Sequence, residues 1–146
     1  ALFQARGWRT GATLRIPMLW VLHVGYGWIL LALLFKGVSV WSSMVTPSIA
    51  THAMTAGAIG TLTIGMMSRV SLGHTGRVIV ASPAVATAFA LMIIGGAVRV
   101  FGLIFVPQAA ITIYTVSGSL WASSLLIYLV VYWPILTSTR TDGRAG

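Results

Sequence analysis

Residues 16–35 read IPMLWVLHVGYGWILLALLF, with no charged side chain. At 1.5 Å per residue, twenty helical residues reach about 30 Å, the thickness of a bilayer's hydrocarbon core. Unpaired backbone cannot face lipid, so only helices and closed barrels cross it. This stretch is longer than a barrel strand and lacks strict alternation, so it reads as a transmembrane helix. Pro17 stands at its start, where a missing amide costs a helix least.

Outward from this stretch, charges punctuate the chain at Arg6, Arg9, Arg15, Lys36, Arg69, Arg77, Arg99, Arg140, Asp142 and Arg144. They leave further charge-free runs at 37–68, 78–98 and 100–139. The second run is too long for one span. Its first part, 37–47, contains Ser39, Ser42, Ser43 and Thr46 and ends in Pro47; it reads as a connection with room for a short interfacial helix, and Trp41 suits the headgroup level. Further spans are expected over 49–68, 80–98 and 110–133. Pro83 falls in the first turn of the third, Pro107 breaks the last run, and Pro134 lies just beyond the fourth. Tyr132 and Trp133 sit where an aromatic belt belongs. The expected fold is all-α, a polytopic membrane bundle of about four transmembrane helices in a single region, 1–146.

Composition agrees. Of 146 residues, 58% are hydrophobic and 7% charged, and the mean hydropathy is +0.96. A soluble domain carries roughly 25% charge, so lipid must cover this surface. Net charge is +8, yet the basic residues are too sparse for a nucleic-acid-binding face. Asp142 is the only acid and there is no cysteine. Carboxylate dyads, all-carboxylate metal sites, disulfides and thiolate ligands are therefore excluded within this chain. The first run is too long for a removable signal peptide and no small-residue cleavage site ends it. Odd-numbered extramembrane segments hold seven basic residues; even-numbered ones hold Lys36, plus Arg99 at a boundary. The positive-inside rule then places both ends and the 69–77 loop in the cytoplasm. A start at Ala1, without methionine, fits the C-terminal part of a larger membrane protein whose other helices complete the bundle.

The second span reads IATHAMTAGAIGTLTIGMMS, and Ala, Gly, Ser and Thr fill twelve of its twenty positions. Small residues let helix backbones approach closely in lipid. Ala53, Gly57 and Thr61 form a ridge at four-residue spacing, so this span is expected in the interior, with Gly57 and Gly60 against neighbours. Such a ridge serves packing, and it also permits close cofactor contact.

Three histidines carry the sharper chemical signal. His23 and His52 lie inside spans, where ionisable residues face the bundle interior or a cavity; His74 lies in the loop RVSLGHTGR at 69–77. Neutral imidazole suits haem iron and copper. It equally suits a packing histidine bonded to backbone or to Tyr26, a hydrogen bond to Thr51 or Thr55, or a loop residue. Helix rise puts His23 and His52 at heights roughly 15 Å apart, which favours separate sites over a shared haem. Arg69 and Arg77 bracket a glycine-containing turn and could clamp an anion, or hold the loop at anionic lipid.

Residues 52–77, HAMTAGAIGTLTIGMMSRVSLGHTGR, resemble the signature of the NnrS family. PMLWVLHVGYGW at 17–28, ASPAVATAFALMIIGGAVR at 81–99, YWPIL at 132–136 and RTDGRAG at 140–146 are similar as well. The resemblance implies a bacterial inner-membrane protein of about twelve spans, containing haem and copper and linked to nitric oxide metabolism and nitrosative stress. It also implies metal ligands at His23, His52 and His74, and cofactor contacts from His23, His52, Arg69 and Arg77. Nitric oxide or a metal–nitrosyl species is the expected small-molecule partner. On residue chemistry alone, a carrier for a metal, metal–nitrosyl species or small anion and a non-catalytic assembly subunit stay open.

Overall fold

The computed structural model describes residues 16–141 and Gly143; Arg6, Arg9, Arg15, Asp142 and Arg144, used in the charge reading, lie outside them. Helix α1 spans Pro17–Val38. Its last turn holds Lys36, where the helix dipole favours a cation, so it outruns the charge-free stretch. Residues 39–46 form turns without a helix, and Trp41 there is 90% exposed.

The second span is not a plain α-helix. It is α2, Pro47–His52, then a π-helical segment, Ala53–Ile59, then α3, Gly60–His74. The continuous rod is longer than the expected 49–68 at both ends. Arg69 and His74, expected in a loop, are helical. Helix α4 is Pro83–Phe105, with Pro83 at its start and Ser82 as cap, its hydroxyl accepting the Val85 amide at 3.3 Å. Arg99 does not end this helix as expected. Its guanidinium finds partners on the next helix, so the backbone continues for a further six residues. Pro107–Ala109 makes a 3₁₀ turn, as the proline predicts. Helix α5, Ala110–Thr137, runs through Pro134. That proline sits three residues before the helix end, where the single lost backbone bond does not stop it.

Helices α1, α4 and the Pro107–Thr137 segment are each long and apolar enough to cross a membrane. The composite rod is the fourth member, and the four run up and down. One end, called here the His74 end, gathers the start of α1, the α3–α4 connection and the tail. Arg69 Nη1 donates to Met18 O at 3.4 Å. Thr141 bonds Thr75 O through its amide at 3.2 Å and Gly76 O through its hydroxyl at 2.9 Å. Gly76 sits at φ +70°, a conformation that favours glycine.

Two apolar clusters form the core. One joins Met18, Val21, Ile64, Phe89, Met92 and Tyr132 toward the His74 end. The other joins Trp28, Ala32, Ile49, Ala53, Ala58 and Val100. The composite rod touches all three other helices and its small-residue ridge is buried at Ala53, Gly57 and Thr61, while Ile59, Met66 and Val70 face outward. A methyl group on Gly57 would meet the Trp28 ring, and one on Gly60 would meet Trp121. On Gly96 it would stand 3.0 Å from Ala56 O and 3.1 Å from Gly57 Cα. Backbone-to-backbone contact of this kind requires glycine.

Candidate functional site

The π segment, AMTAGAI, sets the geometry of the site. Its wider backbone is held between α1 and α4, with Trp28 on one side and Gly96 on the other. Isolated π-helical turns within α-helices recur at functional sites. Here the segment and the residue before it wall a cavity of about 410 Å³ whose other walls are α4 and α5. Its principal polar and aromatic lining is His52, Thr55, Arg99, Ser117 and Trp121. The size falls in the roughly 300–1,000 Å³ range of small-molecule pockets.

Tyr114, in the second turn of α5, ties the two nitrogen bases together. Arg99 Cζ lies 4.6 Å from the centroid of its ring, within cation–π range. His52 stands edge-on to the same ring, with centroids 5.9 Å apart and planes at 62°. Arg99 Nε donates to Ser117 Oγ at 2.6 Å. The two terminal nitrogens of Arg99 have no hydrogen-bond acceptor among the described residues, and His52 has no hydrogen bond there either. The threonines expected to orient His52 do not: Thr51 Oγ1 donates to Pro47 O at 3.0 Å and Thr55 Oγ1 to Thr51 O at 2.9 Å. Each hydroxyl proton is committed to the preceding turn's carbonyl. Trp121 carries a buried indole N–H with no partner among the described residues, wedged beside Gly60 and Gly95.

The other expected site residues lie elsewhere. His23 is half-buried on α1, and its Nδ1 donates to Leu19 O at 2.8 Å. His74 is exposed at the last residue of α3, beside a groove it shares with Met66, Arg69 and Arg140. Arg77 does not join that groove. It turns to the end of α5, donating to Ser138 Oγ at 2.7 Å and Ile135 O at 3.4 Å. Helix C-terminal carbonyls attract cations, and this contact takes Arg77 out of any clamp with Arg69.

His52 and His74 therefore serve different cavities, and His23 lines neither. Among the described residues no three His, Cys, Asp or Glu side chains converge. Haem iron needs one or two axial ligands, and the His52 cavity supplies a single imidazole beside an apolar wall. Copper needs a convergent set, and this chain offers it only single imidazoles. The residue that sequence reasoning missed is Arg99. Its signal was present as a lone charge dividing two apolar runs, and such a charge marks either the end of a span or a site inside one.

A family model described as NnrS protein matches residues 1–140. No curated protein and no solved structure matches the chain.

Proposed function

Because the chain belongs to the NnrS family, we propose that it is part of a haem- and copper-containing membrane protein acting in nitric oxide metabolism or resistance to nitrosative stress. The observation that supports this reading is His52, an imidazole without a hydrogen-bond partner among the described residues, facing an open cavity between the helices. In this reading His52 is the residue that would hold haem iron. Tyr114 orients its ring, while Trp121 and Leu125 keep water from that wall. When bound, haem supplies an iron that binds a diatomic gas and exchanges electrons. His23 and His74 are the imidazoles left for a separate copper site completed outside the described residues, and Arg69 is the cofactor-facing guanidinium beside His74.

In the proposed arrangement the protein lies in the bacterial cytoplasmic membrane with the His74 end inside. Arg69, Arg77 and Arg140 cluster at that end, as the positive-inside rule requires. A carrier for a metal, metal–nitrosyl species or small anion is the second reading, favoured by a largely apolar cavity that holds a few polar groups between closely packed helices. Absorption, EPR and metal quantification on the full-length protein test the first. Replacing His52 with alanine should perturb the haem spectrum, whereas His74→Ala should leave it intact. A folded His52→Ala protein with unchanged haem, copper and spectra removes His52 from the site.

A further inference from the structure

Arg99 lies sixteen residues after Pro83 and six before Phe105, about 24 Å and 9 Å from the two ends of α4. A guanidinium is a cation, and it is costly to hold at that depth without a counter-charge. Ser117 accepts one of its five N–H donors and the Tyr114 face takes part of its charge. The four N–H groups on its terminal nitrogens have no acceptor among the described residues. His52, across the same cavity, offers a ring N–H in either protonation state and likewise meets no acceptor. Thr55 has committed its proton to Thr51 O. No carboxylate occurs among the described residues. The cavity therefore holds a cation and unpaired donors, with neutral hydroxyl oxygens but no counter-charge among the described residues.

We propose that this cavity is an anion site, in which the terminal nitrogens of Arg99 grip a planar carboxylate or oxyanion and His52 donates a further bond. Guanidinium matches such groups two-pronged. Ser117 and Tyr114 are positioning residues: one holds the Nε edge, the other the face, and the terminal edge remains for the ligand. One permanent cation in an apolar wall selects a single negative charge, because a dianion would bring a second charge out of water uncompensated. The anionic group is either a free monoanion or the carboxylate of a larger molecule seated in the cavity. The proposal stands without the metal reading, since it requires only a negative group at Arg99.

The test uses the full-length protein in detergent as purified, titrated with nitrate and acetate, and with sulfate as the dianion, by thermal shift and calorimetry. Wild type should bind nitrate or acetate saturably and sulfate poorly. Arg99→Gln should weaken monoanion binding about tenfold or more, the usual scale for losing a charged hydrogen-bonding partner. Arg99→Lys should fall between them. If a carboxylate-bearing molecule already fills the cavity, wild type ignores added anion, and mass spectrometry of denatured extracts shows an acid that Arg99→Gln has lost. Loss of either signal with an unchanged haem spectrum supports the anion site apart from His52 ligation. Should Arg99→Gln fail to fold, Arg99→Lys decides, because it keeps the charge and loses the two-pronged geometry. Variants that fold, respond to anions as wild type does and retain the same bound molecules overturn the proposal.

Discussion

Gly60 and Trp121 show how tightly single residues control this bundle. The ring occupies the space that any side chain at position 60 would need, and it also forms one wall of the His52 cavity. Gly60→Ala must push the ring into the cavity or separate α3 from α5. Its expected cost is about 1–3 kcal/mol, by analogy with overpacked soluble cores. Gly27 is the control: it is exposed on α1 and a methyl group there meets nothing within 4 Å. Gly27→Ala should be neutral or slightly stabilising, since alanine is the better helix former. Unfolding both variants in detergent measures the difference, and equal stabilities contradict the packing argument. At this scale the sequence singled out His52 as an imidazole in an apolar run, and the structure sets it in the cavity wall. Arg99 was not singled out. A lone charge carries no mark of whether it ends a span or stays inside one.

The π segment decides what the second span can do as an element. A π turn accommodates an extra residue in an otherwise α-helical rod, so α2 and α3 keep their separate packing faces. Ile49 and Ala50 bury on one side of it, and Ile64, Gly65 and Ser68 on the other. Deleting Thr55, an exposed residue within the segment, should let an ordinary α-helix form through the region. The α3 contacts with α1, Gly65 against Val21 among them, should survive. The Ala56–Gly57 backbone, however, would no longer bulge against Gly96, and His52 would shift relative to Arg99. The expected outcome is unchanged helicity by circular dichroism with loss of whatever ligand the cavity holds. Retention of the ligand at wild-type affinity would show that the bulge is dispensable. Composition predicted this span's interior position, because small residues are how membrane helices approach. It did not predict the π turn, since no residue pattern in AMTAGAI distinguishes i+5 from i+4 bonding.

The whole molecule presents apolar side chains outward: Leu33, Leu34, Leu126, Leu129 and Val130 are all exposed. Lipid, or further helices, must cover them. The described basic residues outside the cavity are unevenly distributed, with Arg69, Arg77 and Arg140 at the His74 end and Lys36 at the other. The His74 end is therefore expected in the cytoplasm. Val78 is 82% exposed in the α3–α4 connection, and Ser43 is exposed in the connection at the opposite end. With cysteine introduced singly at each, an impermeant reagent on intact cells should label Ser43→Cys and spare Val78→Cys. The reverse pattern inverts the orientation, and labelling of both breaks the four-span topology.

Hydrophobic runs, their length and the prolines between them were enough to determine an all-α set of long apolar helices, their order and the burial of the small-residue ridge. These are local quantities: a helix in lipid satisfies its own backbone, so its existence does not wait on neighbours. Helix ends were less legible, because Arg69, Arg99 and His74 read as boundaries while tertiary partners kept them helical. The pairing of Arg99 with Ser117 and Tyr114, the departure of Arg77 to α5 and the approach of His52 to Arg99 were decided only by packing. Each joins residues from different helices. Their meeting depends on how the helices are rotated about their axes, and that rotation is set by which glycines admit which tryptophans.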